Sequence, residues 1–408
     1  MTPENKMLKF FSFTAYWAIV FLPFSMAVAS APLSFFQIWL LMAYLMQKLL
    51  RRERLINTPI NLAFVSLLAI SAISLVHSVS IRDSLKGGIL RLLQYGLIFL
   101  AVSEGVKDKA HFKKILAGMI LGACFVSFDG LWQISTGKDF VRGYAPVVNI
   151  GLTRATASFK DANLMGVYLS AIIPLALGPT LYYFRRKIKI YMLVVMLFLL
   201  AGLLVTYSRP SLLAVLVSLL LFGLIKKDKL ILTFFALILV VSPFILPRSF
   251  KDWAREMNYN PLRIMCNDDR IAVYRNTLNM IRSHPIIGVG SNTFMKNYKS
   301  FKENPEYRNI ITSDYMYAHN NFLHMAAEIG LAGLGIFVWL LYKLFRSLID
   351  IYKTTKDDYL KILVLSSVVS LAAFLVNGLT ESSLYYSRVA VLFWYVAGLG
   401  LSLKKVYL

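Results

Sequence analysis

Runs of roughly 18 or more apolar residues recur along the chain, separated by short basic or aromatic stretches, as in helices that cross a bilayer. Twelve such spans can be drawn, at 10–30, 33–48, 59–79, 87–105, 112–134, 163–184, 189–207, 209–225, 229–247, 319–345, 360–379 and 384–403. The pattern predicts an all-α integral membrane protein of about twelve transmembrane helices, a single polytopic domain over 1–408. Every second connection is a basic cluster, including Lys48 to Arg54, Lys107 to Lys114, Arg185 to Lys189 and Lys226 to Lys229. The excess of Lys and Arg on one side places both termini in the cytoplasm. Trp132, Tyr183, Tyr207, Tyr342 and Tyr385 fall near span ends, as interfacial anchors do.

Two outward connections are long, 135–162 and 248–318. Within the second, Asn267-Asp268-Asp269 reads as a helix start, followed at helical spacing by Ile271, Tyr274, Leu278 and Ile281 and ended by Ser283-His284-Pro285. After the turn Gly288-Val289-Gly290, Ser291 or Asn292 is expected to cap a second short amphipathic helix through Phe294, Tyr298 and Phe301. Such helices would lie on the outer surface of the bundle. Composition agrees: 408 residues are 58% hydrophobic, with a mean hydropathy of +0.62. A net charge of +23 would suggest nucleic acid in a soluble protein, but here the basic residues flank apolar runs, so no nucleic-acid partner is expected. Of two cysteines, Cys124 falls in a span and Cys266 in the long loop, which argues against a structural disulfide. Ala27-Val28-Ala29 mimics a signal-peptide cleavage site, yet the preceding apolar run is long for one, so the first span reads as uncleaved.

Polar side chains able to carry chemistry collect at the outer edge. His319-Asn320 stands at the mouth of an apolar helix, and a neutral imidazole there can act as a general base. Arg209, followed by Pro210, opens another helix beside exposed backbone N–H groups. It is either an anion site suited to phosphate or an arginine snorkelling to lipid headgroups. Arg270 could pair with Asp268 and Asp269, and Arg275 shares a face with Arg282 that suits solvent or headgroups. The adjacent aspartates invite a metal reading, but carboxylates at a helix start are more often caps, and no metal is expected. Arg142 and Arg154 add positive charge in the first outward loop, Asn163 follows at a span start, and Glu381 faces the same cavity or pairs with Arg388 or a loop arginine. His319 and His324 lie about 140° apart on a helix and make no zinc pair. His324 with Glu328 is an i, i+4 pair inside the bundle, and Gly330 and Gly333 permit close helix packing.

The motif from His319-Asn320 to Gly330 and Gly333 resembles that of the O-antigen ligase family, as does Arg209 to Leu213. Arg270 to Gly290 is a further family-like stretch, and Arg154, Phe159 and Asn163 resemble the family's approach to span six. Tyr274 stands about where the family often has tryptophan, a mild departure. The resemblance covers most of 140–400. It implies a glycosyltransferase C-type fold whose long periplasmic loop carries the short amphipathic helices, in the bacterial inner membrane. It further implies a metal-independent inverting transfer with no cofactor. The donor would be a glycan on undecaprenyl diphosphate, the acceptor a sugar hydroxyl of lipid A–core, with membrane lipids around both. His319 would be the base and Arg209 and Arg270 would stabilise the diphosphate; Arg142, Arg154, Asn163, Asn320, Arg275 and Glu381 are the candidate substrate-binding residues.

The same motifs suit an O-antigen polymerase extending lipid-linked repeats. A protein O-oligosaccharyltransferase commonly carries an outer C-terminal domain, whereas this chain ends at Lys404-Lys405, soon after the last span. A transporter would show internal repeats and interrupted helices with polar groups at the midplane, while here the spans read as largely uninterrupted.

Overall fold

The computed structural model describes residues 3–149, 151–245, 248–256, 258–260, 268–302 and 316–407. The helices are α1 (Pro3–Val28), α2 (Ser30–Arg51), α3 (Asn61–Ile73), α4 (Ile81–Gly105), α5 (Lys109–Thr136), α6 (Ala162–Tyr182), α7 (Arg186–Leu204) and α8 (Arg209–Lys226). They continue as α9 (Lys229–Ile245), α10 (Arg248–Glu256), α11 (Asp268–Ser283), α12 (Phe294–Tyr298), α13 (Asn321–Thr354), α14 (Asp358–Gly378) and α15 (Ser387–Tyr407). Among the described residues nine helices are long and apolar enough to cross a membrane. The chain is a multi-pass membrane protein. The three other expected spans fall on the shorter apolar helices Asn61–His77 and Lys229–Ser242 and on α15.

The centre is α6, buried along most of its length and packed against α14, α7 and α8. Its small residues permit this: a Cβ on Gly166 would come within 2.5 Å of Ser211 Oγ, and one on Gly178 within 2.0 Å of Ser366 Oγ. Arg388, at the start of α15, ties the α1–α2 break to the segment before α6. Its guanidinium donates to the carbonyls of Met26, Ala27 and Ser158, each at 2.7 Å, and lies 3.6 Å from the Phe159 ring. Met26 and Ala27 end a helix, where carbonyls lack helical partners and a cation is favourable.

Three local features depart from the expectation of uninterrupted helices and plain loops. The first outward connection contains a hairpin, β1 (Val147–Asn149) antiparallel to β2 (Leu152–Arg154), with Val147 opposite Arg154. In α4, Ser84–Ile89 widens to a π turn. Gly87 and Gly88 abut the connection from α11 to α12 there, so that a Cβ would meet Asn292 Nδ2 at 2.0 Å and Ser291 Oγ at 2.3 Å. In α13, Ile329 and Gly330 leave helical geometry, Gly330 at φ 73° and ψ 177°.

The break in α13 is filled by backbone. Val289 and Gly290 N–H donate to the Ala327 and Glu328 carbonyls at 2.9 and 3.0 Å, while Leu331 N–H donates to Pro285 at 2.8 Å. The 285–290 connection thus takes up the groups the interrupted helix leaves open. The close neighbour of Gly330 is therefore loop backbone, not a packed helix: a Cβ there would stand 1.9 Å from the Ile286 carbonyl oxygen. Gly330→Ala adds that overlap to a backbone region nearly restricted to glycine, and should destabilise by about 2–4 kcal/mol. A thermal unfolding scan in detergent checks this, and an unchanged midpoint would mean the loop does not occupy the break.

Helix α11 lies over the stretch where helical spacing predicts one, but with a turned face. Ala272, Val273, Asn276, Thr277 and Met280 are buried against Val289, Phe294 and Tyr298, whereas Leu278 is exposed. The polar members of that face are satisfied: Asn276 Nδ2 donates to the Tyr298 hydroxyl at 2.9 Å, and Thr277 Oγ1 to the Val273 carbonyl at 2.7 Å. Helix α12 begins after Thr293, and the expected cap at Ser291 or Asn292 is supplied from elsewhere. Glu328 of α13 accepts from Asn292 and Phe294 N–H at 2.8 and 3.0 Å. Asn267, Cys266 and the side chain of Asp268 lie outside the described residues.

Candidate active site around Glu381

Glu381 sits in the short connection between α14 and α15, with a side chain only 4% exposed. Three groups from three other parts of the chain converge on it. His319 Nδ1 lies 2.9 Å from Oε1, Arg270 Nη2 donates to Oε2 at 3.2 Å, and Asn163 Nδ2 donates to Oε2 at 3.1 Å. Burial pushes the Glu381 carboxyl up, but His319, Arg270 and Asn163 together outweigh it and hold the group below the ordinary glutamate value. The pairing foreseen with a loop arginine is thus with Arg270, while Arg388 serves the α1–α2 break.

The network continues outward from Asn163. Its Oδ1 accepts from Arg154 Nη2 at 2.6 Å, and Arg154 Nε donates to the Thr206 carbonyl at 2.8 Å. Arg154 is held by its strand, whose neighbour Ala155 donates to the Val205 carbonyl at 2.8 Å. Burial draws its guanidinium below the usual arginine value, and Arg270 is close enough to add repulsion. Thr206 begins the tight turn that carries Arg209. Tyr207 there is left-handed at φ 47°, and Arg209 follows, half-buried, at the first position of α8. The turn is pinned from inside the bundle, since Ser208 and Ser211 hydroxyls lie 2.9 Å apart and Ser211 donates to Asn377 Oδ1 at 2.7 Å.

Asp161 caps α6 by accepting from the N–H groups of Asn163 and Leu164 at 2.7 and 3.0 Å, which fixes the direction of the Asn163 side chain. Burial raises its carboxyl, and the nearby Glu381 charge raises it further. An aspartate two positions before Asn163 is a cap signal legible in the sequence.

His319 itself lies just outside α13, in the left-handed region at φ 47°, a conformation that histidine adopts more readily than most residues. Asn320 is the cap that turns the chain into the helix. Its Oδ1 accepts from Phe322 and Leu323 N–H at 2.9 and 3.0 Å, and its Nδ2 donates to the Leu379 carbonyl at 2.8 Å. Tyr274 of α11 completes the hold by donating its hydroxyl to the His319 carbonyl at 3.0 Å. The tyrosine that departs from the family's usual tryptophan therefore anchors the backbone of the histidine.

With a carboxylate at Nδ1, that nitrogen carries the proton and Nε2 presents a lone pair. Nε2 makes no hydrogen bond among the described residues, and the side chain is 24% exposed. An acidic group orienting an imidazole whose far nitrogen is open is the arrangement of a general base with its positioning partner. His324, one turn on, is different. Fully buried, it contacts Ser382 Oγ at 3.0 Å and Glu328 at 3.3 Å and stacks on Tyr385 at 3.5 Å.

Two of the arginines singled out in the sequence lie on exposed surfaces. Arg142 stands 5.7 Å from the Tyr144 ring. Arg275 is exposed on α11, about 140° around that helix from Arg270.

No curated protein matches the sequence. One chain of a solved structure described as structural coordination of polymerization and crosslinking by a peptidoglycan synthase complex is similar at 16% identity and a TM-score of 0.43. That likeness covers 84% of this chain and 96% of the other. A family model described as O-antigen ligase matches residues 193–338, a stretch that holds Arg209, Arg270, His319, Gly330 and Gly333 but neither Arg154, Asn163 nor Glu381. An imidazole, a guanidinium and a helix break at the positions where that family's motifs fall agree with the match, and over this stretch the chain is similar to the O-antigen ligase family.

Proposed function

We propose that this protein transfers a glycan from undecaprenyl diphosphate to a sugar hydroxyl of lipid A–core, with inversion and without a metal ion. In this reading twelve helices span the bacterial inner membrane, both termini are cytoplasmic, and the 248–318 connection and its site are periplasmic. The observation that carries it is Glu381, buried with one oxygen on His319 and the other on Arg270. That bridge couples a base to a phosphate-seeking cation.

As the acceptor oxygen attacks the anomeric carbon, its proton passes to His319 Nε2, and Glu381 stabilises the imidazolium that forms. The bond from the anomeric carbon to the diphosphate oxygen breaks on the opposite face, and the diphosphate departs with the bonding pair. Negative charge then grows on the leaving group, where Arg270, Arg209 and Arg154 supply fixed guanidinium groups.

The decisive experiment incubates purified protein with lipid-linked glycan and lipid A–core in the absence of added metal. Appearance of capped lipid A–core is expected. Lengthening of the lipid-linked repeats without capping would make the protein a polymerase, and no consumption of donor would remove the enzymatic reading. Arg209→Ala and Arg270→Ala should each lower the transfer rate about 10²-fold, the scale of one lost transition-state donor. Unchanged rates in either variant would take that arginine out of the site.

A further inference from the structure

A second cluster lies further along α13 from His319. A cavity of about 90 Å³ opens there, lined by α3, α4, α13 and α15, against the roughly 10–15 Å³ that one water needs. Its walls are largely apolar, with Leu67, Leu92, Phe337 and Trp394 among them. Two polar groups of α4, four residues apart and so on one helical face, line it. Arg91 is half-buried and forms no ion pair or hydrogen bond among the described residues. Tyr95 is 5% exposed, and its buried hydroxyl lies near Ser387 and Arg91. The carboxylate in the lining, Glu328, is turned to the N–H groups of Asn292 and Phe294 and to His324. Glu328 forms no ion pair with Arg91 among the described residues.

A guanidinium without an ion-pair partner, beside a hydroxyl in an apolar cleft, favours an anionic ligand there. Phosphate on a lipid meets all three features, because it is anionic, accepts several hydrogen bonds and carries an apolar tail. The π turn just before Arg91, packed on Asn292 and Ser291, sets the rotation of the helix and so aims this pair.

Two lipids take part in the proposed transfer, and geometry separates them. The donor's diphosphate is bonded to the reacting carbon and must lie beside His319. The cavity lies further along α13: Met325, Glu328 and Ile329 follow its first residue, Asn321, by four to eight residues, roughly 6–12 Å along a helix. Tyr385, which lines the cavity, carries His324 stacked on its ring. An acceptor glycolipid, by contrast, carries its phosphate a few sugar units below the hydroxyl that reacts.

We propose that Arg91 and Tyr95 hold the phosphate of the acceptor glycolipid in this cavity, so that its sugars rise along α13 toward His319. The inference rests on the ligase reading for the identity of the lipid. Binding, however, is measured without transfer.

Native mass spectrometry of the purified full-length protein with bis-phosphorylated lipid A is the test. Wild type should retain that lipid about ten-fold better than its dephosphorylated form. Arg91→Gln should erase most of the preference, Arg91→Lys should keep part of it, and Tyr95→Phe, which removes one oxygen, should weaken it without unfolding. Neither undecaprenyl diphosphate nor phosphatidylglycerol at equal concentration should displace the lipid. Equal retention by wild type and Arg91→Gln would overturn the site, and displacement by either competitor would overturn the acceptor assignment. Retention as expected in a protein that moves no glycan would sink the ligase reading and leave the phosphate site standing; transfer without any phosphate preference would do the reverse.

Discussion

Replacing His319 by alanine is expected to cut glycan transfer by about 10²–10⁴-fold, the range lost with a positioned general base, while the protein still inserts and folds. The side chain is partly exposed and its carboxylate partner keeps Arg270 and Asn163, so little packing is lost. Alanine does add backbone strain at φ 47°, where asparagine is better tolerated. His319→Asn is therefore the companion variant, keeping the left-handed turn and a polar group without a base of suitable strength. Single-turnover transfer with saturating donor is the measurement. If His319 acts only in the transition state, the rate constant falls while the KM for both lipids stays near wild type. Near-normal turnover in His319→Asn would remove the imidazole from the chemistry.

The helices were legible because a bilayer sets their length: apolar runs long enough to cross it stand out whatever their neighbours do. The expected 112–134 and 209–225, for instance, fall on Lys109–Thr136 and Arg209–Lys226. What escaped needed a partner from far along the chain. The break at Ile329–Gly330 is stable because the 285–290 connection crosses it, and in the sequence it shows only as a glycine inside an apolar helix. Likewise α11 turns Asn276 and Thr277 inward, because Tyr298 and the helix's own Val273 carbonyl receive their hydrogen bonds. A hydrophobic stripe alone selects the other face. The 147–154 hairpin is three residues per strand and too short for alternation to announce it.

At the candidate site the residue types were legible and the distances were not. His319, Arg270, Glu381, Asn163 and Arg154 come from well-separated segments, each at the end of a helix or strand. Packing of α11 on α13, and of α6 and α13 on α14, brings these ends together. Charge patterning could not separate Arg270, bonded to a buried carboxylate, from Arg275 five residues later on the exposed side. Asn320, attractive in sequence as the neighbour of the histidine, has its amide engaged in capping α13 and holding Leu379.

Exchange of Glu381 for glutamine is expected to lower transfer by about 10²–10⁴-fold, through His319. The shape is kept, but the amide can present its NH₂ to Nδ1. That stabilises the tautomer with the proton on Nε2, where no proton can be accepted. Arg270 loses its buried anionic partner as well. Two measurements distinguish a positioning role from loss of structure. In a double variant, Glu381→Gln should add little to His319→Ala, because groups that act as one unit are not additive. A further ten-fold loss in the double variant would give Glu381 a role of its own. Stability supplies the other readout. The folded-state pKa of Glu381 is depressed below its ordinary value of 4.5. Its contribution is therefore fully present above that value and lost as pH falls through the depressed one. Wild type should exceed Glu381→Gln in thermal stability at neutral pH, and the gap should close as the pH drops below 4.5. A gap that persisted in acid would show that the variant fails by altered packing and not by the missing charge.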